Sequence, residues 1–278
     1  MQEQFAAVTR LPVLRGRTML PRMRRPSAKW LWLIPPFLFG MAYLDRVEGF
    51  VGGRDARAAV GLAPDPKTTA EPVVQVYAAR TVRWRGYFGV HTWVSVKPRG
   101  ADEFTTYEVN GWRLRRTGSA VSVDHRPPDA RWFGNRPDLI ADLRGAGVDE
   151  VITRIEAAVA SYPYAKTYRV WPGPNSNTFV AHVLRAAPEL RADLPAHAIG
   201  KDYLGPPFVA RAPSGTGAQM NLFGVIGALA GVEEGVELNV LGLTFGVDPL
   251  DLSLKVPLAG RLGGPTDAPA PVALADEK

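Results

Sequence analysis

Four consecutive polar residues, Asn175-Ser176-Asn177-Thr178, follow the turn Trp171-Pro-Gly-Pro174 and precede an apolar run with helical spacing. Asn, Ser and Thr are the side chains that cap helix N-termini, and capping accounts for one or two of the four. A helix start also presents free backbone N–H groups, which suit an anion or an oxyanion, and Ser176 sits at that spot. The chain has four histidines. His182 falls inside the same helix, whereas His125 and His197 sit beside prolines or in loops. His91 stands in a strand beside aromatics. A lone strand histidine is more often structural than catalytic, so residue type alone leaves both readings of His91 open.

Other chemistries are excluded by what is missing. The sequence contains no cysteine, which removes disulfides, thiolate metal sites, iron–sulfur clusters and a thiol nucleophile. HExxH, paired HxH and a GxSxG elbow are absent, as is a P-loop, so neither a metal nor a cofactor is expected. Glu233-Glu234 beside Glu237 could hold a cation, but a solvated turn is the favoured reading.

The elements that must position these residues follow from periodicity. Val73–Ala78, Gly89–Val96, Thr105–Val109, Trp112–Arg116 and Ala120–Val123 read as short strands. In the second of these, His91, Trp93 and Ser95 alternate with Val90, Thr92, Val94 and Val96. Val151, Ile152, Ile155 and Val159 recur at helical spacing and predict a helix over Asp149–Tyr162, closed by Pro163. A second helix is predicted over Asn175–Ala187, with Phe179, Val180, Val183 and Leu184 on its apolar stripe. Residues 195–218 read as loop, and 219–256 as Gly-rich and partly strand. Within the latter, Leu222–Val232 reads as a core hairpin, with contact to a membrane surface as the sharper alternative.

Charge is distributed unevenly. The net +6 arises in residues 1–29, where seven basic residues face one acidic residue; the rest carries 26 of each sign. A neutral body gives no general reason to bind nucleic acid. The basic region precedes fifteen uncharged residues, 30–44, with Pro35-Pro36 inside them. That run is short for a spanning helix, which needs about 20 residues, and it suits an anchor or a signal segment. An uncleaved anchor is favoured, because no small-residue cleavage site closely follows Leu44. The positive-inside rule then places the body beyond the inner membrane, facing the periplasm or exterior, with the membrane as one partner and an unknown envelope ligand as the other. Residues 45–72 read as a linker, 73–256 as the folded domain and 257–278 as a disordered tail.

The runs HTWVSVKP (91–98), YEVNGW (107–112), WPGPNSNTFVAHVLRAAPEL (171–190) and AIGKDY (198–203) resemble a bacterial domain-of-unknown-function family numbered 3750. More distantly, a strand histidine followed by a helix that opens with Asn-nucleophile-x-Thr-Phe is similar to the circularly permuted papain-like hydrolases of the NlpC-type and lecithin–retinol acyltransferase-like groups. That resemblance implies an α+β fold, a small antiparallel sheet with packed helices, attached to the N-terminal membrane anchor. It implies Ser176 in the place of the family's cysteine, His91 as its base, and Glu108 or Asn110 as the residue that orients the histidine. Backbone N–H groups near Ser176 and Asn177 would hold the oxyanion, and Trp93, Tyr168, Trp171, Asn175 and Asn177 would line the cleft. A serine is far less acidic than a thiol and needs true general-base removal of its proton. The expected activity is therefore hydrolysis or transfer of an amide- or ester-linked group. The alternative is a non-catalytic envelope module that binds peptide, glycan or lipid in the same cleft.

Overall fold

The structure, a computed structural model, describes residues 54–265 and 269–274. The expected basic region and apolar anchor, 1–44, lie outside the described residues, as does 45–53 of the expected linker. Among the described residues, no helix is long and apolar enough to cross a membrane.

Among the described residues, two sheets and three α-helices make up the fold. The first sheet has six strands: β1 (Val73–Arg80), β2 (Val90–Lys97), β3 (Thr105–Val109), β4 (Val121–His125), β5 (Asp138–Arg144) and β13 (Val272–Ala273). Their order is β13-β5-β1-β2-β3-β4, antiparallel throughout except for the β13–β5 pair. The helices are α1 (Gly111–Thr117), α2 (Val148–Ala160) and α3 (Ser176–Ala186).

Strand alternation sorts the first sheet into two unlike faces. Val74, Val76, Val90, Val94, Val96, Tyr107 and Val109 point to one side. There they form the main core with Ile152 and Ile155 of α2 and Phe179, Val180 and Leu184 of α3. The other face carries Gln75, Tyr77, His91, Trp93, Ser95, Thr106 and Glu108, and it is polar and aromatic yet buried. Its polar groups pair within the sheet: Tyr77 donates to Gln75 at 2.8 Å, Gln75 donates to Asp142 at 2.8 Å, and the Ser95 and Thr106 hydroxyls lie 2.8 Å apart.

This second face is covered by chain that reads as linker in the sequence. The Asp129 carboxylate accepts from the backbone N–H groups of Val60, at 3.1 Å, and Leu62, at 2.7 Å. Ala59 also forms a bridge with Ala130. Residues 56–63 are thus pinned to the fold by a side chain far away in sequence. The expected tail likewise contributes a strand, β13, against the edge of β5.

Trp112–Arg116, expected as strand, is instead the body of α1. Asn110 caps it by accepting from the Arg113 N–H at 2.9 Å, and Gly118 ends it in the left-handed conformation. The strand β5 was not expected, since DLIADLR mixes apolar and charged residues without clean alternation. The two longer helices match expectation closely.

Residues 209–263 form the second sheet, an antiparallel meander of β6 (Val209–Arg211), β7 (Gly217–Leu222), β8 (Ile226–Gly231), β9 (Gly235–Val240), β10 (Leu243–Asp248), β11 (Ser253–Val256) and β12 (Gly260–Gly263). Its polarity is inverted. The buried face carries Gln219, Asn221, Glu237, Asn239, Thr244, Asp248, Ser253 and Lys255. Met220, Leu222, Ile226, Val236, Leu238, Val240, Phe245, Val247, Leu254 and Leu262 are exposed on the other. The expected core hairpin is therefore a pair of strands with apolar side chains outward.

Buried ion pairs hold this sheet to the rest. Lys201 lies 3.0 Å from Asp202 and pairs with Glu237. Lys255 lies 2.7 Å from both Glu237 and Asp193. Asp202 also accepts from Asn239 at 2.9 Å and Thr244 at 3.1 Å. Burial alone would push Asp202 up, but Lys201 and these donors outweigh it and hold the carboxyl below its ordinary value. Glu234 accepts from Ser214, and Glu233 pairs with Arg191. The acidic trio expected as a solvated turn is therefore consumed by structural pairs, two of its members buried. Among the described residues, no group of acids and histidines could hold a metal ion.

Candidate active site

The helix start at 175–178 is built by its own side chains. Asn175 Oδ1 accepts from the N–H groups of Asn177, at 2.9 Å, and Thr178, at 3.3 Å. Thr178 Oγ1 returns the bond by accepting from the Asn175 N–H at 3.1 Å, which completes a capping box. Asn175 Nδ2 then donates to the carbonyls of Val170 and Ile199. Thr178 donates to the Gly200 carbonyl at 2.7 Å. Gly200 itself has φ +93°, and a Cβ there would collide with the Asn175 side chain, so only glycine fits against this cap.

Asn177 fastens the helix to β2. Its side chain accepts from Thr92 Oγ1 at 3.0 Å and donates to the carbonyls of Val90 and Ile199. Both asparagines expected to contact ligand are thus spent on architecture, although they border the cavity described next. The Asn177 N–H, expected to help hold an oxyanion, is taken by Asn175. The N–H of Ser176 is the one left at that position.

A cavity of about 490 Å³ opens at this end of the first sheet. Ser176, His91, Tyr168, Trp112 and Trp132 are among its lining residues. His91 Nε2 lies 3.0 Å from Glu108 Oε2, both groups buried. Arg126 donates to the same oxygen at 3.4 Å, and Asn110 donates to Oε1 at 3.5 Å. Burial would raise the Glu108 carboxyl, but the His91 hydrogen bond and charge, then Arg126 and Asn110, hold it below its ordinary value. The imidazole stacks flat on Trp132, with centroids 3.7 Å apart and planes 6° from parallel. Of the two residues expected to orient His91, Glu108 does so and Asn110 supports Glu108.

His91 and Ser176 approach the cavity from opposite sides of the sheet. Thr92, which bonds the Ser176 carbonyl at 3.3 Å, faces α3, so its neighbour His91 faces away from α3. No hydrogen bond joins the two side chains. Tyr168 lines the cavity beside Ser176. Burial pushes the Tyr168 hydroxyl up to about 12, with Glu108 adding to the rise and the hydrogen bond with Ser176 opposing it.

Two of the aromatic residues expected in the cleft are elsewhere. Trp93 is fully buried behind the site, stacked on Tyr77 and donating to the Pro128 carbonyl at 2.8 Å. Trp171 is half exposed and donates to the Leu241 carbonyl at 2.8 Å. Sequence reasoning missed Trp132 and Trp112, which wall the cavity, and Arg126. The run HRPPDARWF shows no period, so nothing local marks Trp132 as the partner of a histidine about forty residues earlier.

The other histidines have structural surroundings. His182 lies 3.1 Å from the Ala158 carbonyl, and His125 lies 3.3 Å from Glu103 at the surface. His197 packs near Gly260, and burial, with Arg80 nearby, depresses its pKa to about 4.

Fold and site together define an α+β domain with a helix-opening serine and a buried histidine on one cavity, the histidine paired with Glu108. Residues 71–203 match the family model described as "Protein of unknown function (DUF3750)", which bears out the resemblance to that family over the first sheet and the site. The match ends before the inverted sheet begins. No curated protein matches the chain, and no solved structure does.

Proposed function

We propose that the cavity is the active site of a serine-dependent hydrolase or acyl transferase acting on an amide or ester, in a domain tethered to the cell envelope through residues 30–44. The observation that carries this reading is that His91, paired with the buried Glu108, lines the same cavity as Ser176. Glu108 occupies Nε2, so Nδ1 is the nitrogen free to take a proton. In the proposed reaction Ser176 Oγ attacks the carbonyl carbon while its proton passes across the cavity, through a bridging water, to His91 Nδ1. The Ser176 N–H at the start of α3 receives the developing oxyanion. His91 then returns the proton to the leaving amine or alcohol, and water or an acceptor releases the acyl group.

The order of strand histidine, then helix-opening nucleophile, supports the more distant kinship with permuted papain-like hydrolases. The proposal is tested with a fluorophosphonate probe. Labelling of the wild type that disappears in both Ser176→Ala and His91→Ala is the expected result; labelling that persists in both sinks it.

A second reading, a binding module without turnover, is favoured by one observation. His91 faces away from α3, and no hydrogen bond joins it to Ser176. Under that reading the wild type takes up no probe, while a ligand of the cavity binds equally to wild type and Ser176→Ala.

A further inference from the structure

A second cavity of about 430 Å³ lies on the polar face of the first sheet, bordered like the first by Trp112, Trp132 and Phe133. We propose that it binds a phosphate-class oxyanion carried by the substrate of the adjoining site, an inference that rests on the functional reading above.

Its lining is strongly basic. Arg57, Arg113, Arg116, Arg126 and Arg131 line it, against the carboxylates Glu108 and Asp124. Glu108 is shared between His91 and Arg126, and Asp124 accepts from the Ser122 hydroxyl at 2.7 Å, so the two carboxylates leave the five arginines in clear excess. Arginines gathered around one cavity set like charges against one another, and a multiply charged anion relieves that repulsion.

The arginines also differ in what holds them. Arg113 is fixed through Nε to the Val121 carbonyl at 2.6 Å, and Arg131 through one Nη to the Gly134 carbonyl at 3.1 Å. Their remaining N–H groups stay available. The side chains of Arg57 and Arg116 make no hydrogen bond or ion pair among the described residues. Planar forks with unspent donors suit the bidentate geometry of phosphate oxygens.

Arg126 links the two cavities. It lies over the Trp93 ring at 5.1 Å and donates to the same Glu108 oxygen that orients His91. An oxyanion seated beside Arg126 therefore places the rest of the ligand next to Trp132 and the His91 ring. A substrate with a phosphate at one end and an ester or amide further along fits both cavities at once. Such phosphate chemistry has two sources, a phospholipid headgroup and a soluble phosphate ester.

The test is calorimetric titration of the full chain with inorganic phosphate, beside sedimentation with phosphatidylglycerol and phosphatidylcholine vesicles. Saturable phosphate binding is expected, weakened by about tenfold or more in the Arg57→Gln/Arg116→Gln double variant, which changes two exposed residues. A matched melting temperature shows that the variant is folded. Sedimentation with phosphatidylglycerol alone, reversed by phosphate, assigns the lipid source; phosphate binding without sedimentation assigns the soluble one. Absence of phosphate binding, or equal binding by the double variant, overturns the proposal. Ser176→Ala is expected to bind phosphate like the wild type, so loss of fluorophosphonate labelling and loss of phosphate binding report separate failures.

Discussion

Glu108 shares one carboxylate between the His91 imidazole and the Arg126 guanidinium, and its environment makes pH a direct probe of the site. Its folded pKa lies below the ordinary 4.5, so its stabilising contribution is complete above that value and is lost as pH falls through the lower folded value. His197 acts over a different window. Its folded value near 4 lies below the ordinary 6.5, so the unfolded chain binds the extra proton between them. Stability is therefore predicted to fall as pH drops from 6.5 towards 4, and to fall less steeply in His197→Gln, as read from urea midpoints across that range. For chemistry, Glu108→Gln keeps the shape but replaces a charged partner by a neutral one. A loss of about 10²–10⁴ in labelling rate is expected, with the fold intact by circular dichroism. Of these residues, Ser176 and His91 were legible from residue type and place in an element. The Glu108 partnership came through a resemblance, because which strand neighbours a histidine depends on register.

The helix start at 175–178 shows what the sequence could and could not say at the scale of elements. Its residue types announced a cap, and a full capping box is present. The same types gave no sign that Asn175 and Asn177 also reach Val170, Val90 and Ile199, contacts set by chain distant in sequence. Asn175→Ala removes the cap and leaves buried carbonyls without a donor; a loss of about 2–4 kcal/mol in unfolding free energy is expected from the cap and the orphaned groups together. The ionic seam makes a sharper case. Lys201→Met leaves Asp202 and Glu237 short of a buried cation, and a loss of about 3–5 kcal/mol is expected by denaturant titration. Gln or Thr at an exposed strand position would cost far less. The turn-like reading of Glu233–Glu237 failed for a physical reason: acidic residues are normally solvated, and only a buried lysine brought from another segment reverses that preference.

At the scale of the molecule, polarity is arranged in opposite senses by the two sheets. The first buries aliphatic side chains under helices and keeps its polar face beneath residues 56–63 and 128–134. The second turns its polar face inward and presents rows such as Met220–Ala228–Leu238–Phe245 outward, without a charge. Period-two alternation in 236–240 was visible in the sequence, but alternation does not state which face is inside; the buried lysines decide that. The exposed rows predict enhanced fluorescence of a hydrophobic dye such as ANS with the native protein. Leu238→Glu with Val247→Glu should reduce it while changing stability by only about 0.5 kcal/mol per site. The account as a whole turns on whether Ser176 is a nucleophile. Peptide mass mapping after fluorophosphonate treatment tests that most directly: the account predicts a single adduct on the peptide containing Ser176, absent from His91→Ala. An unmodified Ser176 peptide in the treated wild type, or an adduct on another serine that survives Ser176→Ala, would contradict it.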